Sequence, residues 1–127
     1  MEGYMFTEMI ADFDGIRISR EKEYNGLELL KQKARIMREC GFRIEEGVEG
    51  TVYALDPTLD EFESIGKVMD EFEEVPGLIL NLRNWYVRHQ DGEIVDLRKT
   101  FATRRTKTIN PYVQRDLMKM RKEYGVE

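Results

Sequence analysis

Three sets of residues in this sequence have the types and spacing that chemistry needs. The first is the run Met9-Ile10-Ala11-Asp12-Phe13-Asp14-Gly15-Ile16, where two carboxylates stand two apart after an apolar stretch. The second is a set of cations, Arg98, Lys99, Arg104, Arg105 and Lys107, followed by Arg115, Lys119 and Lys122. The third is a set of carboxylates, Asp60, Glu63, Asp70, Glu71 and Glu74, with Lys67 as the one cation among them. Paired carboxylates suit a hard divalent ion or proton transfer. Clustered Arg and Lys pair with phosphates, and an acidic face complements a basic partner. His89 and Cys40 are the only residues of their kinds. A general base needs a positioned nucleophile, and neither Ser19, Ser64 nor Cys40 supplies one near His89 in the chain. His89 is therefore expected as an exposed turn histidine and Cys40 as a small buried core residue.

The strand-like run ending in Asp12-Phe13-Asp14-Gly15 resembles the nucleophile loop of the haloacid dehalogenase-like phosphohydrolases. The resemblance implies Asp12 as the attacking carboxylate and Mg²⁺ ligand, and Asp14 as the acid/base. It covers residues 9–16 only, and the family's later Ser/Thr, phosphate-binding Lys and acidic pair have no clear counterpart here. Asp12 and Asp14 could also meet Glu45, Glu46 or Glu49 around a divalent ion, although an acidic chain places carboxylates near turns by composition alone. There is no Walker loop, no GxGxxG and no zinc-type Cys/His spacing. The balance reads as a binding protein rather than an enzyme, with no cofactor and no metal.

Charge divides the chain. Of 127 residues with a net charge of −5, residues 1–97 carry 11 basic and 22 acidic side chains, and residues 98–127 carry 9 and 3. Arg115, Lys119 and Lys122 fall within roughly 60° of one another on a helix, opposite Val113, Leu117, Met120 and Tyr124. Such a helix docks by its apolar stripe and presents a positive ridge, with Thr103, Thr106 and Thr108 as further donors. Phe101 and Tyr112 are the only aromatics nearby, so base stacking is a minor element. The expected function is a small non-enzymatic protein contacting DNA or RNA through residues 98–122. The alternative is an inhibitor or regulator whose acidic helix, residues 57–75, binds a protein that handles nucleic acid by imitating its charge. The same two surfaces could join copies of the chain as a homo-oligomer.

The elements that must carry these groups follow from periodicity and caps. A strand is expected at Tyr4–Ala11, an Asp-Gly hairpin turn, and a strand at Ile16–Arg20 where apolar and polar residues alternate. Asn25 should cap a helix to Cys40 with Leu27, Leu30, Ala34 and Met37 buried, and Gly41 should end it. A hairpin, Phe42–Glu46 with Thr51–Leu55, leads to a helix opened by Asp56-Pro57, buried through Leu59, Phe62, Ile65, Met69 and Phe72, and closed by Pro76-Gly77. Leu78–His89 is strand-like but changes phase, which a bulge near Arg83-Asn84 would reconcile. Ile94–Leu97 completes a third hairpin, residues 98–109 form an aperiodic connector, and Asn110-Pro111 opens a last helix to Tyr124. This gives an α+β domain with an antiparallel sheet covered on one face by helices. Its ferredoxin-like βαββαβ middle, Ile16 to about Val87, is extended by the N-terminal strand, the C-terminal hairpin strand and the third, basic helix. Residues 1–97 are the acidic body and 98–127 the basic connector and helix of one domain. The N-terminus lacks a signal-peptide pattern and no apolar run spans a bilayer, so a cytoplasmic protein is expected.

Overall fold

Asp14 determines how the first strand ends. Its backbone and side chain both turn toward the following residues, with the Ile18 N–H on its carbonyl at 3.1 Å and the Arg17 N–H on Oδ1 at 3.0 Å. That is a helix cap, not a hairpin turn. The computed structural model describes residues 7–21, 23–44, 52–103 and 110–126. The elements are β1 (Glu8–Phe13), α1 (Gly15–Glu21), α2 (Gly26–Glu39), β2 (Phe42–Ile44), β3 (Val52–Leu55), α3 (Glu61–Glu73), β4 (Leu82–Arg88), β5 (Ile94–Asp96), α4 (Leu97–Thr103) and α5 (Pro111–Glu123). The strands form one sheet in the order β2-β3-β1-β4-β5, and every pairing is antiparallel.

The α+β class and the antiparallel sheet match the expectation, but the element order differs. The strand expected at Ile16–Arg20 is α1, so the ferredoxin-like unit drawn from Ile16 to Val87 has no opening strand there. The strand expected at Tyr4–Ala11 is β1, displaced toward Phe13 and central in the sheet; residues 1–6 lie outside the described residues. The connector at 98–109 begins as α4, capped by Asp96, whose Oδ1 accepts the Lys99 N–H at 3.0 Å. Helix α3 starts four residues later than expected. Asp56 instead closes a tight turn onto Thr58, and Asp60 caps the helix through the N–H groups of Phe62 and Glu63.

Alternate side chains of the sheet, Met9, Ala11, Tyr53, Leu55, Trp85 and Val87, point into one core. The same core takes Leu29, Ile36 and Met37 of α2, Ile65, Val68 and Phe72 of α3, Phe101 of α4 and Leu117 of α5. Trp85 lies tilted on Phe72 with centroids 5.3 Å apart. The opposite side of the sheet carries Ile10, Val52, Ala54 and Tyr86, all half-buried. The buried stripe of α2 is rotated from the expected one: Leu27 and Leu30 are exposed, and Leu29, Lys33, Ile36 and Met37 face inward. Leu59, just before α3, and Phe62 in its first turn likewise stand outside the core, Phe62 at 71% exposure. No helix among the described residues is long and apolar enough to cross a membrane.

The phase change in the β4 sequence is a register shift. Asp12 lies opposite Asn84 and Phe13 opposite Leu82, which leaves Arg83 as the additional residue. Leu82 and Trp85, three apart, are consequently both buried, while Arg83 and Asn84 face out. Leu78–Asn81, expected as the start of this strand, is instead a buried turn preceding it.

That turn depends on Gly77. Its φ is +82°, and a Cβ there would stand 2.6 Å from the Tyr24 ring. Gly77→Ala is expected to lose about 2 kcal/mol or more in urea denaturation, from positive φ and the clash together. Gly125→Ala, at φ +68° with open space around the new methyl, isolates the conformational part and should lose about 1 kcal/mol. Equal losses in the two variants would refute the packing component.

Candidate functional site

Helix α5 forms as its sequence indicates. Asn110 accepts the Tyr112 N–H at 3.0 Å, Pro111 occupies the first turn, and the chain leaves through Gly125 at positive φ. Val113, Asp116, Leu117 and Met120 are buried, while Tyr112, Arg115, Met118 and Lys122 are exposed and Lys119 half-exposed. The predicted apolar stripe and the predicted ridge therefore occupy opposite sides of the helix.

The ridge is partly neutralised by one carboxylate. Glu23 pairs with Arg115 and stands 3.6 Å from the Lys119 ammonium. Arg115 also donates to the Tyr24 hydroxyl at 3.0 Å and lies over the Tyr112 ring at 5.6 Å. Beneath it, Asp116 accepts the Tyr24 hydroxyl at 3.0 Å and the Gly77 N–H at 2.6 Å. Burial raises the Asp116 pKa despite those donors and pushes the Tyr24 phenol up to about 12. This inner cluster holds α5 to the loop before α2 and to the turn at Gly77. Lys99 and Lys122 are exposed and make no ion pair among the described residues.

Arg98 does not belong to the ridge. It is 6% exposed and donates to the carbonyls of Ile79 and Leu80 at 3.4 and 2.9 Å, to Glu123 at 2.8 Å and to the Tyr124 hydroxyl at 3.2 Å. A guanidinium so engaged cannot reach a phosphate outside. Thr103 is engaged as well, its hydroxyl donating to the Lys99 carbonyl at 3.0 Å. Arg104, Arg105, Thr106, Lys107 and Thr108 lie outside the described residues.

The sequence reading missed three arginines that the fold brings to the same side. Arg17 on α1 bonds Glu123 at 2.7 Å, while Glu23, after α1, meets Arg115 and Lys119. Arg17 thus meets the end of α5 and Glu23 its middle, and Arg17 and Arg20 line one surface depression. Arg83, the bulge residue, adds the third. Reading Asp14 as a helix cap rather than half of an Asp-Gly turn would have placed Arg17 and Arg20 correctly.

The acidic set is exposed as expected: Asp60, Glu63, Asp70, Glu71 and Glu74 all face solvent, with Lys67 3.4 Å from Glu63. Exposed Phe62 and Leu59 stand at the same end of the helix. His89 is not an exposed turn residue. It is buried, its Nδ1 is 3.2 Å from Glu61 Oε2, and its ring lies 5.4 Å from that of Phe62. Glu61 in turn accepts the Thr7 hydroxyl, so these residues tie the start of α3 to β1 and to the end of β4. Cys40 is buried, and burial raises its thiol pKa.

Asp12 and Asp14 have partners that occupy them: Asp12 pairs with Arg83 at 2.6 Å, and Asp14 caps α1. Glu45, Glu46 and Glu49 lie outside the described residues, and no group of three potential metal ligands occurs among the described ones. No family model, curated protein or solved structure matches the chain.

Proposed function

We propose that this protein is a small binding protein that contacts DNA or RNA through the outward face of α5 and the residues beside it. The observation that carries the reading is the division of α5. Its apolar side is consumed by the core, while Arg115, Lys119 and Lys122 remain on the other side, where Glu23 is the carboxylate that pairs with Arg115 and Lys119 among the described residues. Lys99 on α4 is a further exposed cation, and exposed Tyr112 and Met118 give bases or sugars an apolar contact. The reading predicts binding governed by counterion release. Three neutralised phosphates imply that affinity for a labelled duplex falls about 40-fold between about 50 and about 200 mM salt. In fluorescence anisotropy, the variant K99E/K119E/K122E should lose that binding; undiminished affinity would sink the proposal.

A second reading has its own observation. Phe62 and Leu59 have core-type side chains yet stand exposed beside an acidic helix face. Large apolar residues ringed by charge are a common makeup of protein-binding surfaces. Under this reading α3 receives a basic protein, or the α5 of a second copy. A pull-down at low and moderate salt, with and without nuclease, separates the two: a nuclease-resistant complex abolished by Phe62→Ser with Glu63→Lys and Glu71→Lys favours α3.

A further inference from the structure

Helix α2 has two apolar sides, and the core takes one of them. Leu29, Lys33, Ile36 and Met37 face inward. Leu27 and Leu30 stand outside at 63 and 49% exposure, and half-buried Ala34 continues their line. Lys31 and Arg38 fall on the same outer side, within about 100° of arc with these three. Both cations are exposed and make no ion pair among the described residues. Arg35 and Glu39, which pair with each other, and Glu28 lie to one flank. Large apolar residues grouped on an otherwise charged surface are the mark of a partner site.

Helix α3 lies antiparallel beside α2 and carries the opposite charge. Tyr24, before α2, lies against Gly77, after α3, and the end of α2 shares a crevice with the start of α3 through Glu39, Cys40, Leu59 and Glu63. Lys31 is therefore level with the Glu71 end of its neighbour, and Arg38 with the Asp60–Glu63 end. Glu71 and Glu74 are exposed and make no ion pair among the described residues, and Asp60 is exposed at the cap. Glu63 is exposed as well, balanced in part by Lys67 at 3.4 Å. An apolar and basic strip thus runs beside an acidic one, and such a surface complements its own copy. A two-fold axis along the helices sets α2 of each chain against α3 of the other, keeps the levels, and makes the contact twice. We propose that the α2–α3 surface joins two copies of the chain, with Lys31 of each facing Glu71 of the other, Arg38 facing Asp60 and Glu63, and Leu27, Leu30 and Phe62 enclosed between them. The contact rests on the second reading of function, in which α3 is a binding face, and gives that face α2 of a second copy as its occupant.

The test is sedimentation velocity of the whole chain after nuclease treatment, which removes nucleic acid as a bridge. The parent is expected to sediment as a dimer at about 100 µM. K31E/R38E and E63K/E71K should each weaken the dimer about tenfold or more, because like charges then meet in both halves of the contact. Mixed in equal amounts, the two variants should dimerise again, since each α2 then faces an α3 of opposite sign. L27S/L30S should also weaken the dimer, with the amide spectrum of the folded protein retained. A monomeric parent, variants that dimerise as the parent does, or folded charge variants whose mixture stays monomeric would overturn the contact. Loss of the dimer in K119E/K122E, with K31E/R38E unaffected, would move the contact to α5 and overturn it as well. A monomeric parent leaves the second reading of function to the nuclease-resistant pull-down, which asks whether α3 takes a different protein.

Discussion

Arg98→Ala is expected to destabilise the protein by roughly 3–5 kcal/mol, the range for removing one partner of a buried ionic network. The Arg98 guanidinium holds together three pieces that are distant in sequence: the buried turn through Ile79 and Leu80, the start of α4, and the end of α5 at Glu123 and Tyr124. Its ring contact with Tyr124, at 5.6 Å, adds to the fixing of that end. Truncation leaves the buried Leu80 carbonyl with only the longer 3.4 Å bond from Arg17 in place of its 2.9 Å donor. Burial works against the Glu123 carboxylate, but the guanidinia of Arg98 and Arg17 outweigh it and hold its pKa below the usual carboxylate value. Arg98→Lys keeps the charge but not the fork, so it should fall between the parent and the alanine variant. Urea denaturation of the three proteins checks the order. An alanine variant within about 1 kcal/mol of the parent would contradict the role assigned to Arg98.

Lys33→Met should stabilise the protein at neutral pH, and the gain should disappear in alkali. Lys33 is 3% exposed, between the rings of Phe13 and Tyr53 at 5.1 and 5.5 Å, with its ammonium on the Ala11 carbonyl. Desolvation lowers its pKa from 10.5 to about 8, although the nearby Asp12 charge pulls it upward. A displacement of that size corresponds to about 3 kcal/mol. Below pH 8 the side chain is protonated in both the folded and unfolded chain, so the folded protein bears the whole penalty. Between about 8 and 10.5 the folded chain has released a proton that the unfolded chain still holds, and this group makes stability rise with pH. Tyr24 and Tyr53, both pushed up to about 12 with burial as the leading cause, act oppositely above pH 10, and Cys40 does so from about pH 9. The gap between the parent and Lys33→Met isolates the lysine. It should be about 1–2 kcal/mol at pH 7, after the lost hydrogen bond to Ala11, and should close or reverse near pH 10.5. A gap that stays constant over that range would show that Lys33 does not titrate as its burial implies.

Lys33 also explains why part of the fold was hidden in the sequence. Periodicity excludes lysine from an inward stripe and so selects Leu27, Leu30, Ala34 and Met37 in α2, whereas the inward side is Leu29, Lys33, Ile36 and Met37, with Met37 alone in common. The amphipathic stem of lysine can occupy a core position, and pattern alone does not reveal that. Caps with unambiguous chemistry were legible: Asn25 and Asn110 hold their helices, and Gly41 and Gly125 adopt positive φ. Asp residues were harder to place, because an Asp side chain can close a turn or cap a helix. Asp14 and Asp56 each took the role opposite to the expected one. The candidate surface was half legible. Arg115, Lys119 and Lys122 could be read from helical spacing, but Arg98 carries the same charge and is buried. Arg17, Arg20 and Arg83 reach the surface only through a tertiary arrangement that local periodicity does not encode.

The residue inserted at Arg83 also sets how much length variation the chain can accept at this point. Loops generally absorb a gained or lost residue at the surface. In β4 one residue decides whether Leu82 and Trp85 can both point inward. A one-codon deletion here would turn half the strand over, exchanging Trp85 for a polar neighbour in the core and withdrawing Arg83 from the depression it lines. Among related chains, this stretch should keep its length even where its side chains change.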